Sequence, residues 1–329
     1  QSEVHIINAV FLCSDEPHSL LAALAPALNE KASLPVEKKL AELNLSAGNI
    51  FPFSIETGNI DSEAFNSSFL RQPSLFLRLR PGKESQVLDK LAKATIDFTD
   101  KGNGCIALPN ATKLEDVITL NKEAVVQDRN SQKVFDFLPG EWFNEKISVW
   151  DCCAASGGKA ILLFDKLPAK MKLTVSDIRP NILHNCKMRL REAGININHA
   201  FVADVSKKIG EELDDHFDMI VCDAPCTGSG TWSRTPEQLA YFKTAQVEAF
   251  TSLQKSIATN ALTYLKKDGI FFYITCSVFK KENEEVVDHL LKNAPVVLLH
   301  AGYLPGYNEQ ADTMFVAVLK MKSGVATSN

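Results

Sequence analysis

Two cysteine-containing segments have the residue types that covalent chemistry requires. One reads Asp223-Ala224-Pro225-Cys226-Thr227-Gly228-Ser229-Gly230, and the other reads Tyr273-Ile274-Thr275-Cys276-Ser277. Each of these cysteines follows an apolar, strand-like run and has polar or glycine-rich neighbours. Cys222 instead continues an apolar run, and we predict that it belongs to the core, as most free cysteines do. Cys226 and Cys276 are therefore the candidate nucleophiles.

A third segment, residues 151–159, is suited to binding a small ligand. It reads Asp151-Cys152-Cys153-Ala154-Ala155-Ser156-Gly157-Gly158-Lys159. Its small residues allow the backbone to turn tightly and to approach a ligand closely. The segment lacks the G-x-G-x-x-G pattern, which disfavours a dinucleotide site. A merely tight turn between a strand and a helix is the alternative interpretation.

Two acidic residues are predicted to lie near this loop. Asp177 ends the next strand-like run, 19 residues after Gly158, where an acid can hold the hydroxyls of a ribose. Asp204 follows the third run at the same predicted edge. Acids around a nucleoside pocket suit a cationic sulfonium better than a pyrophosphate, because opposite charges attract.

The elements that must position these loops alternate between strands and helices after Gly140. This alternation predicts βαβ units around a parallel sheet, which is an α/β fold. A long helix is predicted to start near Pro236 with Thr235 as its cap, and the last two strands should be antiparallel. The seven predicted strands are Ile147–Cys152, Leu173–Asp177, Asn198–Ala203, Met219–Asp223, Gly269–Thr275, Val296–His300 and Met314–Leu319.

The order of the strands decides whether the two cysteines can act together. Ligands of open α/β sheets bind at the carboxyl ends of the strands. If the fourth and fifth strands are neighbours, they lie roughly 5 Å apart. Cys226 and Cys276 would then share one pocket.

Two smaller units are predicted before this sheet. Residues 1–65 should be helical around Leu20–Leu24 and Pro35–Leu40, with a connection from Asn44 to Asn66. Residues 66–137 are predicted to form a small α+β domain, and residues 138–329 the larger α/β domain. The elements predicted for the small domain are strands at Leu75–Leu79, Cys105–Leu108 and Ala124–Val126 and a helix at Ser85–Lys93.

The composition indicates an ordinary globular protein. The chain has 329 residues, of which 45% are hydrophobic and 23% charged. No run reaches the roughly 18 apolar residues of a membrane helix, so no membrane association is expected. The eight cysteines show neither a paired framework nor metal-ligand spacing. We therefore expect a reducing, cytoplasmic setting and no bound metal.

The three loops together resemble those of RNA cytosine-C5 methyltransferases of the Nop2/Sun/RsmB family. Members carry D-x-C-A-A-P-G-G-K, D-A-P-C-S-G-x-G and T-C-S…E-N-E in this order on a Rossmann-like core. This chain has all three patterns, and Val126-Gln127-Asp128 resembles the segment that precedes them. The resemblance extends from about Leu75 to Lys320. Ser156 stands where the family usually has proline, and Ala160 where threonine or serine is usual.

The resemblance implies a mechanism and a fold. The core would be a Rossmann-like, mostly parallel seven-stranded sheet that uses S-adenosylmethionine, and residues 1–65 would be a shortened NusB-like helical domain. Cys276 would attack cytosine C6, Cys226 would help to break the adduct, and Asp223 would hydrogen-bond the N3 edge of the base. The cofactor contacts would come from Cys153, Ala154, Ala155, Ser156, Gly157, Gly158, Lys159, Asp177, Asp204 and Asp223.

The expected partner is single-stranded or opened RNA, with ribosomal RNA favoured over transfer RNA by family habit. A formal net charge of −5 disfavours nucleic-acid binding by the chain as a whole. Between Ser67 and Lys93, however, six basic residues face only Glu84 and Asp89. A solvated charged surface is the alternative interpretation of this cluster. The proposed RNA contacts within the basic cluster are Arg78, Arg80, Lys83 and Lys90, and its other members are Arg71 and Lys93.

Two other functions remain open at this point. One is a non-catalytic RNA-binding or ribosome-assembly factor on a methyltransferase scaffold, which Ser156 in the cofactor loop makes conceivable. The other is a methyltransferase for proteins or small molecules, because the fold alone does not set the substrate. The intact pair of Cys226 and Cys276 favours the RNA enzyme over both.

Overall fold

The structure is a computed structural model, and it describes residues 2–51, 53–138, 140, 146–167, 171–210, 213 and 216–324. The described part contains two sheets, one of four strands and one of seven. None of the helices described is both long enough and apolar enough to span a membrane.

The first 70 residues form short helices. They are α1 (Ser2–Cys13), α2 (Ser19–Leu24), α3 (Pro26–Asn29), α4 (Val36–Glu42) and α5 (Ser62–Ser68), with a 3₁₀ turn at Ala47–Asn49. The helical predictions around Leu20–Leu24 and Pro35–Leu40 are confirmed. The predicted connection up to Asn66 is too long, because α5 starts inside it. Asp61 caps α5 by accepting hydrogen bonds from the amides of Glu63 and Ala64.

The small α+β unit has the predicted elements. These elements are β1 (Leu75–Leu79), α6 (Glu84–Lys93), β2 (Thr99–Asp100), β3 (Cys105–Leu108) and β4 (Ala124–Val126). The sheet has the order β2-β3-β1-β4, and each pair of neighbours is antiparallel. Leu77, Val87 and Ile106 meet in the core of this unit.

The large sheet confirms the predicted α/β fold and all seven predicted strands. Its strands are β5 (Ser148–Asp151), β6 (Lys172–Asp177), β7 (Ile197–Val202), β8 (Phe217–Asp223), β9 (Leu265–Thr275), β10 (Val296–Leu304) and β11 (Met314–Met321). The connecting helices are α7 (Gly158–Lys166), α8 (Pro180–Glu192), α9 (Gln238–Tyr241), α10 (Ala245–Leu262) and α11 (Glu284–Asn293). The order of the strands is β10-β11-β9-β8-β5-β6-β7, parallel except for β10 and β11, which are antiparallel to their neighbours.

Helices cover both faces of the large sheet, and this explains its apolar strands. In β8, Met219 and Val221 enter one core, whereas Ile220 and Cys222 enter the core on the opposite face. Alternate residues of a strand point to opposite faces, so a strand covered on both sides must be apolar throughout. Cys222 is fully buried, which confirms its predicted place in the core.

The predicted helix start near Pro236 is wrong. The chain forms only one helical turn, α9, and the long helix α10 begins at Ala245. Phe242 separates the two with an extended backbone (φ −65°, ψ 136°). Its ring packs against Phe53 and Trp232, with ring centroids 4.7 and 4.9 Å away. Burial of this aromatic ring therefore accompanies the break in the helix.

Candidate active site

Cys226 and Cys276 meet at the carboxyl edge of two neighbouring parallel strands. Asp223 of β8 pairs with Ile274 of β9, so the two strands end at the same level. The two Sγ atoms lie 3.4 Å apart, and both side chains are partly exposed. The expectation that the two thiols lie together is confirmed.

A close backbone approach at Gly230 fixes the two cysteine loops to each other. The amide of Gly230 donates to the carbonyl of Cys276 at 2.8 Å, and its carbonyl accepts from the amide of Thr313 at 2.9 Å. A Cβ atom at position 230 would lie 2.0 Å from the Thr313 carbonyl oxygen. Only glycine fits such an approach, which accounts for the last glycine of the Cys226 loop.

Glu282 also holds the two loops together, from the 3₁₀ turn Lys280–Glu282. It accepts hydrogen bonds from the amide of Thr227 at 2.9 Å and from the Thr227 hydroxyl at 2.6 Å. The Ser277 hydroxyl and the Gln254 side-chain amide also donate to it. These donors satisfy a carboxylate that is fully buried. The E-N-E pattern in the sequence includes Glu282, but it did not predict that Glu282 positions the two cysteine loops.

The surroundings of Cys226 favour its protonated form. Its hydrogen-bond contact with Cys276, together with burial, raises the pKa of Cys226 well above its ordinary value. The thiolate is the reactive form of a cysteine, so this environment disfavours Cys226 as the nucleophile.

Lys159 is the cation of the site. Its Nζ atom lies 2.9 Å from Asp223 Oδ2. Burial lowers the pKa of Lys159, but the charge of Asp223, the hydrogen bond to it and the nearby Cys276 and Asp151 together outweigh burial and raise the pKa overall. Lys159 therefore stays charged and also interacts electrostatically with Cys276. Lys280, another cation near Cys276 in the sequence, pairs instead with Glu56 at 2.5 Å.

The loop at residues 151–159 has a constrained backbone. Ala155 and Gly157 have positive φ angles of 45° and 79°, and α7 begins directly afterwards. The amide of Ala155 donates to Asp177 Oδ2 at 3.0 Å. Arg189 donates to the carbonyl and the hydroxyl of Ser156 at 3.1 and 2.7 Å. Ser156, which stands where proline is usual, is thus held by a side-chain contact.

The acids predicted to bind the cofactor lie where their strands end. Asp177 is the last residue of β6, and it accepts hydrogen bonds from the backbone and the guanidinium of Arg179. Burial raises the pKa of Asp177, but the contacts with Arg179 together lower it by a larger amount, so the pKa is lowered overall. Asp204 follows β7 and pairs with Lys207 at 3.0 Å.

Asp151 was missed as a separate site residue. It ends β5 and is only 2% exposed, yet neither of its carboxylate oxygens has a hydrogen-bond partner. Burial and the nearby charge of Asp223 raise the pKa of Asp151 well above its ordinary value. A buried carboxylate without a partner is costly, and a cationic ligand beside it would relieve that cost. Its position at the end of β5 was the available sequence signal.

The predicted basic face is wrong for Arg78 and Arg80. Arg78 lies in β1 and Arg80 directly follows that strand, and the two residues are only 5% and 9% exposed. Both pair with Asp165 of α7, the helix that follows the cofactor loop. They therefore connect the small unit to the large one. The number of exposed basic side chains was overestimated, because the sequence does not reveal that Asp165 pairs with both arginines.

The remaining members of the basic cluster lie nearer the surface. Lys90 pairs with Glu123 at 2.8 Å. Lys83 is partly exposed, and Lys93 and Arg71 are exposed. Their possible role in RNA binding stays a prediction.

The chain belongs to the 16S rRNA methyltransferase RsmB/F family. The model of this family matches residues 142–320, which is more than half of the 329 residues. The chain is similar to the probable ribosomal RNA small subunit methyltransferase B of Bacillus subtilis, with 28% identity over 228 residues, covering 68% of this chain and 50% of that protein. It is also similar to the human tRNA (cytosine(72)-C(5))-methyltransferase NSUN6, with 30% identity over 172 residues, covering 49% and 35%.

A solved structure gives the same picture of the fold. The methyltransferase homologue from Pyrococcus horikoshii superposes with a TM-score of 0.65 at 20% identity, covering 86% of this chain and 98% of that one. The curated relatives are longer: the chain spans about half the length of those that it matches.

Proposed function

We propose that this protein methylates C5 of cytosine in RNA and uses S-adenosylmethionine as its cofactor. One observation carries the proposal: the two thiols lie 3.4 Å apart at the carboxyl ends of two neighbouring parallel strands. Family membership supports the same reaction. A methyltransferase acting on proteins or small molecules has no need of this pair.

The residues around the cofactor loop fit a cationic nucleoside. The buried carboxyl group of Asp151 has no hydrogen-bond partner, and a cationic ligand beside it would favour its ionised form. Asp177 is placed to accept hydrogen bonds from ribose hydroxyls. S-adenosylmethionine, when bound, supplies an activated methyl group. The proposed contacts are Cys153, Ala154, Ala155, Ser156, Gly157, Gly158, Lys159, Asp177, Asp204 and Asp223, together with Asp151.

The two cysteines have different proposed roles. Cytosine C5 is a poor carbon nucleophile, so the Cys276 thiolate first adds to C6, and the electron pair of the C5–C6 double bond moves to C5. Asp223 hydrogen-bonds the N3 edge of the base and favours the added form, and Lys159 fixes its carboxylate through Oδ2. After methyl transfer, the C5 proton is lost to water, the electron pair of that C–H bond re-forms the C5–C6 double bond, and the Cys276 thiolate leaves C6. Cys226 assists this breaking of the carbon–sulfur bond.

Ribosomal RNA is the proposed substrate. The relatives include an enzyme named for small-subunit ribosomal RNA and one named for transfer RNA, and the family model is named for 16S rRNA. Attack at C6 needs an unstacked base, so the RNA must be single-stranded or opened at that position. Lys83 and Lys90 are the proposed phosphate contacts, and the proposed setting is the cytoplasm.

A direct assay tests this function. The purified protein is incubated with isotope-labelled S-adenosylmethionine and either small-subunit ribosomal RNA or total transfer RNA, and nucleosides are analysed by mass spectrometry. We expect labelled 5-methylcytosine from ribosomal RNA. Label in protein or in small molecules, with none in either RNA, would contradict the proposal.

A binding measurement tests the cofactor site separately from the reaction. Asp177→Ala removes charged hydrogen bonds, each worth about 1.5–3 kcal/mol, so affinity for S-adenosylmethionine should fall roughly 10- to 100-fold. Titration calorimetry measures this change. Unchanged affinity would remove Asp177 from the site.

A further inference from the structure

Three more cysteines converge beneath the proposed active site. Cys152 and Cys153 follow β5, and Cys222 lies near the end of the neighbouring strand β8. Cys152 and Cys222 are fully buried, and Cys153 is partly exposed. The amide of Cys152 donates to the carbonyl of Val221 at 2.9 Å, which fixes the two strand ends to each other. None of these thiols belongs to the pair proposed to act on RNA.

The three sulfur atoms lie close enough together for a single metal ion to be considered. All three Sγ atoms lie within 4.8 Å of one another. Two sulfurs bound tetrahedrally to one zinc ion at about 2.3 Å each are about 3.8 Å apart. Side-chain rotations that shorten these separations would bring all three to one ion. In the described part of the chain, no other group of three cysteine, histidine or acidic side chains has this geometry.

We propose that Cys152, Cys153 and Cys222 bind a thiophilic divalent cation of the Zn²⁺ type. Thiolate sulfur is the ligand that such ions prefer. Three protein ligands leave one tetrahedral position for water or for another donor. The three thiolates would give a bound Zn²⁺ site a net charge of −1, and Arg179 lies within electrostatic reach of Cys153. No metal-ligand spacing is visible in the sequence, because the site combines adjacent cysteines with one from another strand.

The proposed ion would be linked to the cofactor loop. Cys153 is also the first residue of the proposed cofactor contacts, and the loop continues from it through Ala155 and Gly157. A cation that holds the Cys153 sulfur would fix the start of this loop. Coupling between two binding sites is reciprocal. If the ion changes the affinity for the cofactor, the cofactor must change the affinity for the ion by the same factor.

Cadmium is the probe that tests the site, because cadmium–thiolate bonds absorb in the ultraviolet. The full chain is used in a Cys226→Ala/Cys276→Ala background, since that thiol pair could itself bind the metal. We expect the absorption to saturate at one Cd²⁺ per protein. Protein loaded beforehand with Zn²⁺ should need more Cd²⁺ to reach the same absorption, because the two ions compete for the same thiolates. A reduced protein that shows no cadmium–thiolate absorption overturns the proposal.

Single substitutions identify the ligands. Cys222→Ala should weaken cadmium binding by more than the roughly 10- to 100-fold that loss of an outer contact costs a metal site. Cys153→Ala, at the partly exposed position, provides a second variant in case the buried substitution disturbs folding. Cys105→Ala removes a buried thiol of the small unit and should leave binding unchanged. Binding that survives both Cys222→Ala and Cys153→Ala would show that the three thiols form no site.

Discussion

Glu282 accepts hydrogen bonds from both the amide and the hydroxyl of Thr227, although the two residues are 55 positions apart in the chain. Thr227 directly follows Cys226. The same carboxylate accepts from Ser277, which directly follows Cys276. One buried acid thus holds the residue next to each candidate cysteine, and we expect the spacing of the two thiols to depend on it.

Glu282→Gln should separate the two loops without changing the shape of the side chain. The new amide group would face hydrogen-bond donors, including the Thr227 amide, so some buried donors lose their acceptor. We expect the free energy of unfolding to fall by about 1–3 kcal/mol, and methylation to slow. Urea denaturation and a methylation assay measure the two effects. Glu285→Gln, on the partly exposed part of α11, is the matched control, and equal losses in both variants would contradict this role.

Asp151→Asn should stabilise the ligand-free protein while weakening cofactor binding. The substitution replaces a buried carboxyl group, whose ionisation is disfavoured, with a neutral amide, so the melting temperature should rise at a pH above the unfolded pKa of Asp151. It also removes the proposed partner of a cationic ligand, and affinity for S-adenosylmethionine should fall roughly 10- to 100-fold. Calorimetry gives both quantities. A variant that binds the cofactor as tightly as the original protein would exclude Asp151 from the site.

The pH dependence of stability gives an independent test of Asp151. Its pKa is raised in the folded protein, so between the unfolded and folded pKa values the folded state binds more protons. Stability is therefore greatest below the unfolded value and falls as pH rises through the folded value. Asp151→Asn should remove this fall. Burial raises the pKa of Asp218, but contacts with Ser148 and Lys266 lower it by more, so its pKa is lowered overall. Asp218 therefore contributes stability that is lost as pH falls through its folded pKa, and Asp218→Asn should remove that loss at low pH.

Asp165→Asn should destabilise the contact between the small unit and the large one. The carboxylate is buried and pairs with both Arg78 and Arg80. Removal of one partner from a buried ion pair costs about 3–5 kcal/mol. Asp136→Asn removes an exposed pair with Lys166 and should cost at most about 1 kcal/mol. Denaturant unfolding distinguishes the two variants, and similar small losses would contradict a connecting role for Asp165.

Much of the fold could be predicted from local patterns. Strands of the large sheet are apolar along their whole length because helices cover both faces, and such runs are visible without knowledge of the partners. The interruption between α9 and α10 was not predictable in this way. It accompanies the packing of Phe242 against Phe53, which is almost 190 positions earlier in the chain.

The candidate site was predictable to a similar extent. The sequence placed Cys226 and Cys276 after the fourth and fifth strands and made a shared pocket conditional on those strands being neighbours; the strand order β8–β9 meets that condition. The partners of buried charges were not predictable. Arg78 and Arg80 were expected at the surface. Their partner Asp165 lies more than 80 positions later in the chain, in α7, so the sequence did not show that they would be buried.

The central claim is that Cys276 attacks the base and that Cys226 only assists release. The two alanine variants should therefore fail in different ways. Cys276→Ala should give neither methylation nor a covalent complex, because the C6 adduct never forms. Cys226→Ala should attack and transfer the methyl group, then remain attached to the RNA. Both side chains are partly exposed, so neither substitution creates a large cavity.

Denaturing gel electrophoresis after incubation with RNA and S-adenosylmethionine is the most direct measurement. We predict a slower band for Cys226→Ala that disappears on RNase treatment, and an unshifted band for both Cys276→Ala and the double variant. The slower band in Cys276→Ala instead of Cys226→Ala would reverse the two roles. Full methylation activity in both single variants would contradict the two-cysteine mechanism altogether.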